Sequence, residues 1–301
     1  MAEFGTEEDD GKILKNFNIE EEKFDHYLEL FSQWISSQKH LQQDFNETCR
    51  KKFLLWAKLD FEKAKIKFQK YCYNSIAFEE FVRYRIVTVE GDLKALKQFH
   101  HAPLLKLTQP GYRLWYLKIV DPNNFDPLAM ERYITLACDY VIHKIGLVAG
   151  EVGIFDMGDT RPQHYAKMFT TTFLKAIKYN MMNLPFMVKN LYVINCHPFL
   201  EKGFGVLKTI LPQKQADRIV ILYNPDDLKK YIPSEFLPED YGGKLSCLED
   251  LQADWIKCLV DEREFLEKLG ETRPTGSIPA EFQSAEDEFG VEGSFRKLNI
   301  D

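Results

Sequence analysis

The 301-residue sequence predicts an α/β protein, with an N-terminal helical domain followed by a mostly parallel sheet and flanking helices. Three observations carry that expectation. Residues 20–100 place apolar side chains at helical spacing. Beyond Pro103, short β-branched and aromatic runs alternate with helical stretches, the pattern of strands joined by crossover helices. Between two of these runs lies a segment, 199–211, that is apolar on more than one helical face, so it is either deeply buried or lies between an apolar interior and a membrane.

The elements follow in order. Phe24, Leu28, Leu30, Phe31 and Ile35 recur near the helical period. Phe53, Leu54, Trp56 and Ala57 lead into a second helical stretch, with Asp60 as its N-cap and Ala64, Phe68 and Tyr71 as its buried face. His100 and His101, beside Pro103, read as a solvated loop. Residues 112–120 read as a strand closed by the turn cluster Asp121-Pro-Asn-Asn-Phe-Asp-Pro127. A helix is expected over 128–145, a strand from Glu151 to Met157, and one long helix over 162–182 starting at Pro162, where the missing N–H costs nothing. Then come a strand at 190–195, the apolar helix 199–211, a strand at 218–223, a short helix at 226–230 and the turn Tyr241-Gly242-Gly243. A final helix over 248–269 carries Leu251, Trp255, Leu259 and Phe265. There are no internal repeats. Residues 1–19 read as an acidic, flexible N-terminus in which Glu3-Phe4-Gly5-Thr6 looks vector-derived, and 270–301 as a disordered acidic tail rich in Gly, Pro, Ser and Glu.

The net charge of −7 sits at the ends. Residues 1–10 hold five acids and no base, and 270–301 hold seven acids and three bases, so residues 11–269 carry a net +2. A mildly basic body suits transient contact with anionic lipid and equally suits no special partner. No apolar run approaches the roughly 20 residues that span a bilayer, and the acidic start is no signal peptide. Six cysteines without a Cys-x-x-Cys pair read as free thiols in a reducing compartment, hence a cytoplasmic protein.

Enzymatic constellations are missing. There is no P-loop and no Gly-x-Ser-x-Gly elbow, and Gly203-x-Gly205 lacks the third glycine of a dinucleotide fingerprint. The seven histidines form no metal-binding spacing. Cys196 and His197 are chain neighbours that point in different directions, whereas a nucleophile and its base must converge in space. Asp156 and Asp159 end a strand and read as turn caps rather than a metal pair. No catalytic residue, metal, cofactor or nucleic-acid partner is expected.

The ordered set Ile154-Phe155-Asp156, Ile194-Asn195 before His197-Pro198, the apolar helix and Tyr241-Gly242-Gly243 resembles the CRAL-TRIO family of lipid-binding proteins, with the tocopherol-transfer and retinaldehyde-binding branch nearest. The match runs from about Phe31 to Leu251, with 20–100 similar to the family's N-terminal helical domain and 101–269 to its lipid-binding domain. The resemblance implies an apolar pocket on the sheet beneath a movable gate helix made by Phe199, Leu200, Phe204, Val206, Leu207, Ile210 and Leu211. By position, Phe155, Met168, Phe173, Ala176, Tyr179, Val188 and Leu191 line the pocket, Phe204, Leu207 and Leu211 close it, and Tyr133 and Thr172 orient a ligand hydroxyl or carbonyl. Ordinary core packing is the competing reading for each.

It also implies a basic phosphoinositide site at Lys189, Lys214 and Arg218, the last two sharing a face if the turn is helical. Met187 replaces one base of the family's patch, and Leu54-Leu-Trp-Ala-Lys58 lacks the paired arginines common there. Solvated surface charge is the alternative. The function implied is an intracellular carrier of one hydrophobic ligand (tocopherol, retinoid or another isoprenoid-like lipid) exchanged at membranes, peripheral rather than embedded. A phospholipid-sensing module signalling to a protein partner is the second reading, and an enzyme acting on an apolar substrate the third.

Overall fold

The computed structural model describes residues 7–42, 45–77, 96–168, 170–198, 203–205, 208–209, 211–271 and 274–275. Among the described residues four helices come first: α1 (Glu7–Asn16), α2 (Glu21–Ser37), α3 (Glu47–Trp56) and α4 (Phe61–Ala77). The caps follow the side chains: Asn46 accepts from the Cys49 N–H at 3.0 Å, and Asp60 from the Lys63 N–H at 3.1 Å, pairing first-turn donors that the helix cannot satisfy. The α1 helix corrects the expectation of a flexible start over part of 1–19. Its Ile13 and Leu14 are buried, and Asp10 accepts from the Leu147 N–H at 2.8 Å.

The sheet has strand order β1-β2-β3-β4-β5, from β1 (Phe99–Pro103), β2 (Tyr112–Ile119), β3 (Gly150–Asp156), β4 (Val188–Ile194) and β5 (Ile219–Leu222). β1 is antiparallel to β2 and every other pair is parallel. Strands in sequence order with right-handed crossovers carry their helices on one face. Those helices are α5 (Pro127–Lys144), then α6 (Pro162–Met168) and α7 (Thr171–Asn183), with the short α8 (Gln213–Ala216) before β5. The single helix expected over 162–182 is two, because Thr170 leaves helical geometry and caps a new start by accepting from the Phe173 N–H.

The strand β1 corrects the reading of His100-His101 as a solvated loop. Proline is tolerated at such an edge, and His101 is 2% exposed. The outer side of β1 is covered by α9 (Leu248–Asp261), whose Gln252 accepts from the His101 N–H at 2.6 Å. The helix expected over 248–269 breaks at Glu262, giving α9 and α10 (Arg263–Glu271).

Alternation along the strands divides the core. Leu114, Tyr116, Val152, Ile154, Tyr192 and Ile194 meet a layer of 3-10 turns carrying Leu228, Ile232, Phe236 and Leu237. Their neighbours in the chain face α5 and α7. On the far side of those two helices Ile142, Ala176 and Tyr179 pack against the N-terminal helices. The Tyr-Gly-Gly turn has a steric reason: Gly242 takes φ +69°, and a Cβ on Gly243 would lie 1.9 Å from the Leu237 carbonyl oxygen. Residues 272–273 and 276–301, most of the expected tail, fall outside the described residues.

Candidate functional site: an apolar cavity and a basic cluster

Three strand rows build the cavity floor. Register puts Arg113 beside Glu151, Trp115 beside Gly153 and Leu191, and Leu117 beside Phe155 and Val193. The middle row lacks a side chain at its centre. A Cβ on Gly153 would sit 2.7 Å from Cδ1 of Leu191, so the glycine leaves room that any larger residue would take. The roof comes from α5 (Met130, Glu131, Ile134, Cys138) and from α7 (Phe173, Ile177, Asn180) with its C-cap Leu184, with Phe186, Val188 and Phe204 at the side. Together they line a cavity of about 230 Å³. Trp115 and Phe186 meet within it at 5.7 Å between ring centroids.

Few polar groups reach this space, and each is held close to neutral or paired. Glu131 is buried, and Asn180 Nδ2 donates to its Oε2 at 2.8 Å. Burial pushes the carboxyl up to about 8, because the charged form cannot be solvated there, while the Asn180 bond acts the other way. His101 is driven down to about 3 by burial and is neutral. At the N-terminal end of the strands Trp115 Nε1 donates to Glu151 Oε2 at 2.6 Å, while Glu151 Oε1 and Arg113 Nε and Nη1 are buried without a hydrogen-bond partner among the described residues. Burial raises Glu151, and the charges of Arg113 and Lys52 oppose that rise. Lys52 reaches in from α3 to donate to the Gly146 carbonyl at 2.8 Å; burial, then the Arg113 charge, lowers its pKa.

Of the expected lining residues, Phe155, Phe173, Val188, Leu191 and Phe204 lie on the cavity. Ala176 and Tyr179 do not: they occupy the opposite stripe of α7, in the core shared with the N-terminal helices. Leu211 is buried in the helix-side core away from the lining. Tyr133 stands one layer back, its ring 5.4 Å from His101 and 5.6 Å from Phe99. The side chains of Met168 and Thr172, and the residues Phe199, Leu200, Val206, Leu207 and Ile210 of the expected gate, lie outside the described residues. The sequence reading missed Trp115, Glu131, Glu151, Gly153 and Asn180. A glycine inside an apolar strand and an acid inside an otherwise apolar helix were the available signals.

The three expected cations do come together, and a fourth joins them. Lys189 has a lowered pKa, first from burial and then from the charges of Arg218, Lys58 and Lys214. Lys58 reaches the cluster from the α3–α4 link, where Lys58 and Leu59 both take left-handed backbone angles (φ 53° and 62°). Lys214 and Arg218 do not share a helix face, since α8 stops at Ala216 and Arg218 instead donates to Gln215 Oε1 at 3.1 Å. Among the described residues none of the four cations forms an ion pair with a carboxylate.

Asp156 is engaged in holding the fold. Its Oδ1 accepts from the Gly158 N–H and from Asn195 Nδ2, and its Oδ2 from the Tyr241 hydroxyl at 2.9 Å. Among the described residues no cluster of His, Cys, Asp and Glu could hold a metal, and no helix is long and apolar enough to cross a membrane. All six cysteines are free thiols.

Residues 97–243 match the family model of the CRAL/TRIO domain, which spans all five strands and the cavity. Among solved structures, Sfh5 is similar at 10% identity over 67% of this chain and 73% of that one, with a TM-score of 0.46. CRAL/TRIO proteins bind small hydrophobic lipids. The tocopherol-transfer and retinaldehyde-binding branch finds no support beyond the resemblance of its motifs. Residues 97–243 thus match a CRAL/TRIO domain, and an N-terminal helical region precedes them in the chain.

Proposed function

We propose that this protein is a carrier that holds one hydrophobic molecule in the cavity and exchanges it at membranes without converting it. The observation that carries this reading is the cavity itself: apolar rings and aliphatic chains on nearly every wall, a glycine at the centre of its floor, and Phe204 of the 199–211 segment at its side. Its volume of about 230 Å³ lies a little below the ~300–1,000 Å³ of sites for drug-sized ligands. A tocopherol, retinoid or other isoprenoid-like lipid would therefore enter as the lining yields, and we assign the opening to the 199–211 segment. Met130 in the roof is an unbranched, adaptable side chain suited to such a change.

The cluster of Lys58, Lys189, Lys214 and Arg218 gives the exchange a membrane-facing anchor in this account. Four mutually repelling cations without carboxylate partners among the described residues gain most from a polyphosphate headgroup, which accepts several charge-assisted bonds at once. Transfer of a fluorescent tocopherol analogue from donor to acceptor vesicles tests the proposal. The carrier should speed transfer, and more so when the acceptors contain phosphoinositide. A Lys189→Ala/Arg218→Ala protein should lose that second gain, by roughly tenfold in vesicle affinity. A protein that neither binds nor moves the analogue rejects the carrier reading, and a double variant that binds phosphoinositide vesicles unchanged rejects the headgroup site.

A further inference from the structure

The cavity is not uniformly apolar, and its most telling polar feature belongs to the roof. Glu131 of α5 and Asn180 of α7 stand 49 residues apart in sequence, yet their side chains join across the roof at 2.8 Å. Both line the cavity. Among the described residues Glu131 has no ion pair with a cation, and its only side-chain hydrogen bond is the one from Asn180. Asn180 in turn lies 3.5 Å, through its Oδ1, from the Thr135 hydroxyl. A carboxyl in apolar surroundings without a cation is held as the acid, which has one O–H to donate and a second oxygen to accept. A carboxylate ligand would bring a negative charge to a place with no cation on the Glu131 side among the described residues, at a high desolvation cost. A pure hydrocarbon would leave the acid's hydrogen-bonding capacity unmet, also at a cost.

On the reading that the cavity holds a hydrophobic ligand, we propose that Glu131 and Asn180 together form a polar clamp that selects an apolar molecule bearing one uncharged oxygen function, a hydroxyl or a carbonyl. The clamp sets ligand class and orientation: the oxygen lies against the α5–α7 roof, and the hydrocarbon lies over Gly153, between Trp115, Phe155 and Leu191. A site with a buried polar group discriminates strongly against the analogue that leaves the group unpaired, whereas an extra methylene is read only weakly.

The test is a matched series of hexadecane, hexadecan-1-ol and hexadecan-2-one, delivered from cyclodextrin. Each competes for the cavity with the fluorophore N-phenyl-1-naphthylamine on the full chain at pH 7. The wild-type protein should bind the alcohol and the ketone at least tenfold tighter than the alkane. Glu131→Leu should bind all three alike, at the affinity the wild type shows for hexadecane. Glu131→Gln, which keeps a donor and an acceptor, should keep the preference. Asn180→Leu provides a second removal of the clamp should the Glu131→Leu protein not fold. Equal wild-type affinity for the three, or a preference that survives both leucine variants, overturns the clamp while leaving the carrier reading intact. Failure of all three compounds to displace the fluorophore overturns both.

Discussion

One sheet presents two faces made by alternate residues of the same strands, and the two differ in how completely they are satisfied. On the 3-10 side, Tyr116 donates its hydroxyl to the Phe236 carbonyl at 2.7 Å, Tyr192 and Tyr231 pack with ring centroids 4.9 Å apart, and Leu228 and Leu237 are fully buried. On the helix side a glycine replaces a central side chain, a cavity follows, and Glu151, Arg113 and His101 bury polar atoms without partners among the described residues. A protein interior is normally close-packed with its polar groups paired. The 3-10 face follows that rule except at His100, whose Nδ1 is buried without a partner among the described residues, and so is read as structure. The helix face departs from it most around the cavity, and that departure is where a binding role is argued. Shifting a strand by one residue would exchange the roles, so strand register separates stability from binding here.

The comparison can be broken at either face. Phe236→Ala removes a ring from the filled face and should cost about 3–5 kcal/mol by denaturant unfolding, with ligand affinity of the folded protein changed less than twofold. A large affinity loss with unchanged stability would show that the two faces are not separate.

Next in size is the cost of burying Glu131. Its folded pKa is raised to about 8, whereas a carboxyl in an unfolded chain titrates near ~4.3. The unfolded state therefore gives up its proton first. This residue's contribution to stability falls as pH rises from roughly 4 to 8, and is level outside that window. Glu131→Gln removes the slope, so it should stabilise the protein at pH 8 on the order of 2–4 kcal/mol and not at pH 4. Melting curves of both proteins across that range check the sign; an equal difference at every pH would show that Glu131 is not held as the acid.

The smallest expected change in stability comes with the sharpest change in binding. Gly153→Leu should fill the cavity floor, displace Leu191 and weaken an apolar ligand at least 100-fold, about 2.7 kcal/mol, at an overpacking cost of no more than about 1–3 kcal/mol. Retained affinity would mean that the ligand sits elsewhere.

Much of this was legible in the sequence, and the misses have physical causes. Alternating strand and helix patterns, the Asp60 cap and the Tyr-Gly-Gly turn are local signals, and they led to the right elements. The edge strand β1 was illegible because His101 is buried by contacts with Trp115 and Tyr133, neither near it in sequence. The start of the chain looked disordered from its acids, but Ile13 and Leu14, just beyond them, are what dock it. In the pocket, Phe173, Ile177, Asn180 and Leu184 follow the steps of four, three and four that mark one helical stripe, while Ala176 and Tyr179 belong to the stripe beside it. Tyr133 stands off the cavity for the same reason: two residues from Glu131, it points to another side of α5. The Glu131–Asn180 pair needed the spacing of two helices in the fold, which no local pattern encodes.

The central claim is that the helix-side cavity holds one apolar molecule. Native mass spectrometry of the purified protein, followed by extraction into organic solvent, tests it most directly. The account predicts one stoichiometric adduct, a hydrophobic molecule with a hydroxyl or carbonyl, that the Gly153→Leu protein lacks. A wild-type protein with no adduct, and which acquires none from vesicles loaded with tocopherol, retinol and mixed isoprenoids, would contradict it.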